Sequence, residues 1–81
     1  MGKRVSKLIL YTTAGCHLCE QAGELLQQLQ QHHSFTVQAV DISVDEKLVE
    51  LYGVRIPVVK NSDDNKELGW PFSLEDLARI V

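Results

Sequence analysis

The chain has 81 residues, enough for one domain over residues 1–81 with a modest core, since a domain this short buries roughly 60% of the surface its unfolded form exposes. Its 44% hydrophobic and 23% charged residues are ordinary for a soluble globular protein, and a net charge of −3 leaves no electrostatic footprint for nucleic acid or an anionic membrane. The longest apolar run, Leu8-Ile9-Leu10-Tyr11, falls far short of a membrane span, and Lys3, Arg4 and Lys7 do not introduce a secretion signal, so a cytoplasmic monomer without membrane or nucleic-acid partners is expected.

Met1-Gly2-Lys3-Arg4-Val5-Ser6 matches a myristoylation pattern, but a strand starting at Val5 leaves almost no tether, and the match reads as chance. Residues 5–11 are rich in β-formers and end in a near-continuous apolar run, as a central buried strand should. Residues 12–15 form a loop. From about Cys16 the apolar spacing becomes helical, with Leu18, Ala22, Leu25, Leu26 and Leu29 on one stripe, and Gln27, Gln28, Gln30 and Gln31 on the wet face. His32, His33 and Ser34 end this helix. Adjacent histidines do not face one site, so they read as cations at a helix C-terminus rather than metal ligands.

Residues 35–42 alternate as a second strand, with Phe35, Val37 and Ala39 on one side. Ser43 and Glu46 have capping-box spacing and open a short helix that Gly53 closes. Residues 57–60 form a third strand, 61–65 a turn, and 66–70 a fourth, antiparallel strand. Ser73 with Asp76 caps a last helix that carries Leu74, Leu77, Ala78 and Val81 inward. The order is β-α-β-α-β-β-α. A right-handed first crossover makes strands one and two parallel, giving an α/β, four-stranded mixed sheet of order 2-1-3-4 with helices on both faces.

Cys16-His17-Leu18-Cys19 falls where the buried strand hands over to a helix. A disulfide three residues apart contributes only about 2 kcal/mol as a staple, so a chemical role is favoured over a structural one. The first turn of a helix offers unpaired N–H groups and a partial positive charge, which stabilise a thiolate. Cys16 is therefore expected to be the nucleophile, with a depressed pKa, and Cys19, one turn inside, the resolving thiol. His17, if protonated, would tune the pKa of Cys16 further; the alternative is a merely solvated residue. Leu18 is expected to pack, and Glu20 to partner the helix dipole.

Residues 11–19, Tyr-Thr-Thr-Ala-Gly-Cys-His-Leu-Cys, together with Arg55-Ile56-Pro57-Val58-Val59, resemble the glutaredoxin branch of the thioredoxin superfamily. The late Trp70-Pro71-Phe72 makes the chain most similar to small bacterial glutaredoxin-like proteins with a C-H-L-C site, and the resemblance spans nearly all of it. It implies a thioredoxin-like fold and thiol–disulfide oxidoreductase activity on protein or low-molecular-weight disulfides through a Cys16/Cys19 dithiol. It implies that Pro57 is a cis-proline facing the cysteines, and that the backbone of Ile56 pairs with an extended substrate. Glutathione is the co-substrate the resemblance offers, with Arg55 available to its carboxylate. Thr12 and Thr13 occupy the region where glutaredoxins carry a lysine, and Thr13 is a further candidate contact. Alternatives within the resemblance are monothiol deglutathionylation through Cys16 and an iron–sulfur cluster shared in a dimer; no metal site is read within one chain. A binding module with incidental thiols is the non-enzymatic alternative. Trp70 reads either as a core plug or as a lip of the substrate groove.

Overall fold

The run Leu8-Ile9-Leu10-Tyr11 explains the architecture, because alternate residues of a strand point to opposite faces and here both faces are apolar. A computed structural model describes residues 5–81; the basic residues Lys3 and Arg4 and most of the myristoylation-like pattern lie outside them. The elements are β1 (Ser6–Thr12), α1 (His17–Gln30), β2 (Phe35–Asp41), a 3-10 turn (Ile42–Val44), α2 (Glu46–Tyr52), β3 (Val58–Asn61), β4 (Glu67–Gly69) and α3 (Leu74–Ile80). The sheet order is β2-β1-β3-β4, as the sequence predicts. β1 and β2 are parallel, from Ser6 opposite Phe35 to Thr12 opposite Asp41. β3 runs antiparallel to β1, with Tyr11 opposite Val58, and β4 is antiparallel to β3. This is a thioredoxin-like fold.

Each face of β1 has its own core. Leu8 and Leu10 pack with Ala22, Leu26 and Leu29 of α1 and Leu77 of α3. Tyr11 belongs to the other cluster, with Ile42, Tyr52 and Val58. Fully burying an aliphatic side chain contributes about 1.5–3 kcal/mol, so these two layers supply most of what holds so short a chain together.

Several local expectations shift. The inward face of α1 is Cys19, Ala22, Leu26 and Leu29, whereas Leu18 is 42% exposed. The cause is the start of the helix: Cys16 is the N-cap, which turns Cys19 inward and Leu18 outward. Ser43 does not cap α2. Asp41 caps the 3-10 turn, its carboxylate accepting from Ser43 N–H at 2.9 Å, and Asp45 caps α2 by accepting from Lys47 N–H at 2.9 Å. On α3, Leu77 and Ile80 are buried while Leu74 is exposed, because a helix starting at Leu74 places positions 77 and 80 on the sheet side. Ala39 is exposed on the edge strand β2, and β4 is shorter than expected.

Gly53 does follow α2, but with φ −52° rather than a left-handed conformation. Its absent side chain serves a close approach instead, since a Cβ there would lie 2.5 Å from the Val49 carbonyl oxygen. The chain consequently stays coiled past α2. Gly53 N–H donates to Val49 O at 2.8 Å, and Arg55 and Ile56 N–H both donate to Tyr52 O, at 2.8 and 3.0 Å.

Asn61, which the sequence reads as a turn residue, ends β3 and is buried. Its Nδ2 donates to the Ile80 carbonyl, and its Oδ1 accepts from Asp63 N–H at 2.9 Å. One amide thus joins the β3–β4 turn to the end of α3.

Candidate active site

Gly15 turns the chain from β1 into α1. It adopts φ +77°, the left-handed region open to glycine at little cost, and nothing would obstruct a Cβ there, so backbone conformation alone selects it. Cys16 follows in extended conformation (φ −89°, ψ 103°) as the N-cap of α1. Its Sγ accepts a hydrogen bond from Cys19 N–H at 3.1 Å, and its carbonyl accepts from Glu20 N–H at 3.2 Å. A sulfur here takes the place usually held by a serine or aspartate oxygen.

Cys16 and Cys19 form a disulfide, with Cα atoms 5.2 Å apart. The two sulfurs differ in access. Cys16 is half-buried, while Cys19 is 5% exposed and packed on the inner face of α1. The outer face of this turn carries His17 and Glu20, both well exposed, with Nδ1 and Oε2 3.9 Å apart.

The loop before Cys16 is tied to the end of β2. Thr12 pairs with Asp41, and the Asp41 carboxyl lies below its ordinary pKa range because of Ser43 N–H first, then the hydroxyls of Ser43 and Thr13. Asp41 therefore sets a negative charge at the end of β2, opposite the Thr12 that leads into the loop.

Pro57 reaches the same end of the sheet through β3. Continuing the β1–β3 register one residue beyond Tyr11–Val58 sets Pro57 beside Thr12, and Pro57 is fully buried. The Ile56–Pro57 and Trp70–Pro71 peptide bonds are both cis. Trp70 N–H donates to the Pro57 carbonyl at 3.1 Å, extending the β3–β4 ladder by one pair. The Trp70 ring is half-buried against the α1–α3 core and meets Phe72 edge-on at 5.1 Å, so it serves as a plug while its backbone braces Pro57.

Two expected substrate contacts are otherwise engaged. The Ile56 N–H is spent on Tyr52 O, a consequence of the coil persisting beyond α2, so it is not offered to an extended partner. Arg55 is drawn to Glu67 on β4, with Nη2 3.4 Å from Oε1, and lies 5.5 Å above the Tyr52 ring centroid. The other Glu67 oxygen, Oε2, accepts from the Tyr52 hydroxyl at 2.5 Å. Tyr52 stacks on Tyr11 with ring centroids 4.2 Å apart. Burial, and then the Glu67 hydrogen bond, push the Tyr52 phenol far above its ordinary pKa. This Glu67–Tyr52–Arg55 cluster is invisible to sequence reading, because Glu67 in a polar edge strand looks merely solvated.

The thiolates of Cys16 and Cys19 supply two soft ligands. No group of three or more His, Cys, Asp or Glu side chains placed to hold a metal ion occurs among the described residues. That donor set does not fit a closed four-ligand cluster within one chain.

The sheet order, the cysteine pair at a helix N-terminus and the proline entering β3 define a thioredoxin-like domain with a C-x-x-C site. Residues 7–81 match the Glutaredoxin-like domain family, and the chain belongs to it. Among solved structures it is similar to protein XcR50 from X. campestris, with 39% identity and a TM-score of 0.74 over 89% of this chain and 91% of that one. It is also similar to protein Ne2328 from Nitrosomonas europaea, at 32% identity and a TM-score of 0.82, covering 98% and 96% of the two chains. A malarial protein at 16% identity and a TM-score of 0.71, covering 95% and 93%, shares the fold. Curated proteins give no match.

Proposed function

We propose that this chain is a thiol–disulfide oxidoreductase that reduces disulfides through Cys16 and Cys19. The observation that carries the reading is the N-cap geometry: a reachable sulfur receiving the Cys19 N–H at 3.1 Å, with a second, buried sulfur within bonding reach. That hydrogen bond and the positive end of α1 favour a Cys16 thiolate over the thiol.

In the reduced protein the Cys16 thiolate attacks one sulfur of the substrate disulfide. A Cys16–substrate bond forms, the substrate S–S bond breaks, and the departing thiolate takes a proton from water. Cys19 then loses its proton and attacks Cys16 Sγ, releasing the second substrate thiol. The protein is oxidised by two electrons and the substrate reduced by two. Return to the dithiol needs an external thiol reductant, as a reducing cytoplasm provides. Both sulfurs come from one chain, so a monomer suffices. Pro57, buried one register step beyond the Tyr11–Val58 pair, is the residue this reading assigns to the substrate groove, and His17 lies exposed in the turn that follows Cys16. The burial of Cys19 directly behind Cys16 favours the dithiol route over one using Cys16 alone.

The test is a single round of reaction between the pre-reduced protein and a disulfide substrate with no other thiol present, alongside alkylation of each thiol against pH. Cys16→Ser should abolish turnover and Cys19→Ser should stall it at the mixed disulfide, with only one substrate thiol released. Cys16 should titrate below the free thiol value of about 8.5. Full turnover in Cys19→Ser, or a Cys16 thiol that alkylates no faster than free cysteine at neutral pH, overturns the reading.

A further inference from the structure

An anionic thiol compound such as glutathione carries carboxylates at both ends and is held by cations and by backbone donors. At the Pro57 end of this sheet both provisions are already in use. Arg55, two residues before Pro57, has its guanidinium between the Glu67 carboxylate and the Tyr52 ring, with the Arg55 and Glu67 side chains 47% and 28% exposed. The ring cannot drift, because it stacks on Tyr11 and its hydroxyl is bonded to the same carboxylate. The Ile56 N–H is bonded to Tyr52 O. Two further carboxylates lie on the elements that adjoin this end of the sheet, Glu20 in the first turn of α1 and Asp41 at the end of β2 opposite Thr12. An approaching anion meets these carboxylates while the Arg55 cation is held by Glu67.

Resting on the oxidoreductase reading, we infer that Glu67 is a specificity-determining residue, which by holding Arg55 turns the site towards neutral or basic polypeptide disulfides and away from glutathione disulfide. Glu67 touches neither sulfur. It acts by deciding where the Arg55 cation is presented, and a charge at the rim governs encounter and selection more than it governs chemistry.

The test uses the pre-reduced full chain in single-turnover stopped flow, so that no recycling reductant enters. The probes are glutathione disulfide, the disulfide of N-acetylcysteine amide (uncharged), and a peptide disulfide with lysines flanking its cysteine. In the parent protein at low salt, glutathione disulfide should react at least tenfold more slowly than the uncharged probe, and the lysine peptide faster than either, with the differences shrinking at high salt. Glu67→Gln keeps an acceptor for the Tyr52 hydroxyl but releases the cation; it should raise the glutathione disulfide rate about fivefold, the scale of an exposed charge pair, and leave the uncharged probe within about twofold. Adding Arg55→Gln should cancel that gain, whereas Arg55→Gln alone should change the glutathione disulfide rate by less than about twofold.

A glutathione disulfide rate equal to that of the uncharged probe, or a gain in Glu67→Gln that survives Arg55→Gln, overturns the inference. So does a large loss in Arg55→Gln alone, which needs no Glu67 variant to fold. Any of these leaves the oxidoreductase reading standing. Failure of all three probes to react removes that reading as well, so the two failures are distinguishable.

Discussion

Replacing Asn61 by alanine tests how the far end of the sheet is held. The Asn61 side chain is 4% exposed, donating to the Ile80 carbonyl and accepting from Asp63 N–H. Asp63 is exposed, so its N–H regains a partner from water and the loss there is about 0.5 kcal/mol. Ile80 is buried at the last turn of α3, and leaving its carbonyl unpaired costs about 1–3 kcal/mol. A total near 2–3 kcal/mol corresponds to a fall in Tm of roughly 10–20 °C for a domain of this size. It is a large share of the roughly 4–12 kcal/mol available to a chain of this length. Urea unfolding of the oxidised protein, followed by Trp70 fluorescence and by circular dichroism, should show a lower midpoint with an unchanged slope. Asn61→Asp separates the donor from the acceptor, since it keeps Oδ1 but sets a carboxylate against the Ile80 carbonyl. The folded state would raise that carboxyl's pKa, so its adverse effect should be absent below the unfolded value of about 3.9 and grow as pH rises above it. Asn61 lies at the opposite end of β3 from Pro57, so Cys16 alkylation in the folded variant should be unchanged. An Asn61→Ala protein within 0.5 kcal/mol (roughly the noise of a surface change) would refute the reasoning.

Gly15→Ala should cost about 1 kcal/mol from its positive φ alone, with no added steric loss, measurable as a small fall in Tm. Asp76 is held below the usual carboxylate range by the Ser73 N–H first and its hydroxyl second. Its stabilising effect is therefore full above the unfolded value of about 3.9 and fades as pH falls through the lower folded value; Asp76→Asn should flatten that acid loss in melts from pH 5 to 2. Tyr52 is the opposite case. Its raised pKa means stability is complete below the unfolded value of about 10 and declines above it, and Tyr52→Phe should abolish the decline in melts between pH 8 and 10.5. Leu26→Ala, in the core on α1, should lose about 2–5 kcal/mol, read in the same urea assay, and sits at the edge of what this chain tolerates.

What sequence could reveal follows the range of each interaction. The apolar run of β1, the helical spacing of α1 and the Ser73–Asp76 box are local signals, and each became the element it predicts. Phase was harder. Ser43 and Asp45 are both competent caps two residues apart, and the intervening 3-10 turn decided between them. Leu18 and Cys19 are adjacent apolar candidates, and only the identity of the N-cap tells which one faces in. The cluster of Tyr52, Arg55 and Glu67 joins residues 12 and 15 positions apart, across a turn and two strands. Nothing local to Glu67 distinguishes it from a solvated edge residue. Asn61 has turn chemistry, and only tertiary packing buries it.

The unequal exposure of the two sulfurs has a practical use. On the proposed oxidoreductase reading, a disulfide substrate captured by Cys16 has no internal thiol to displace it once position 19 is serine. The protein then becomes a covalent bait, whose cargo can be recovered under denaturing, non-reducing conditions and named by mass spectrometry.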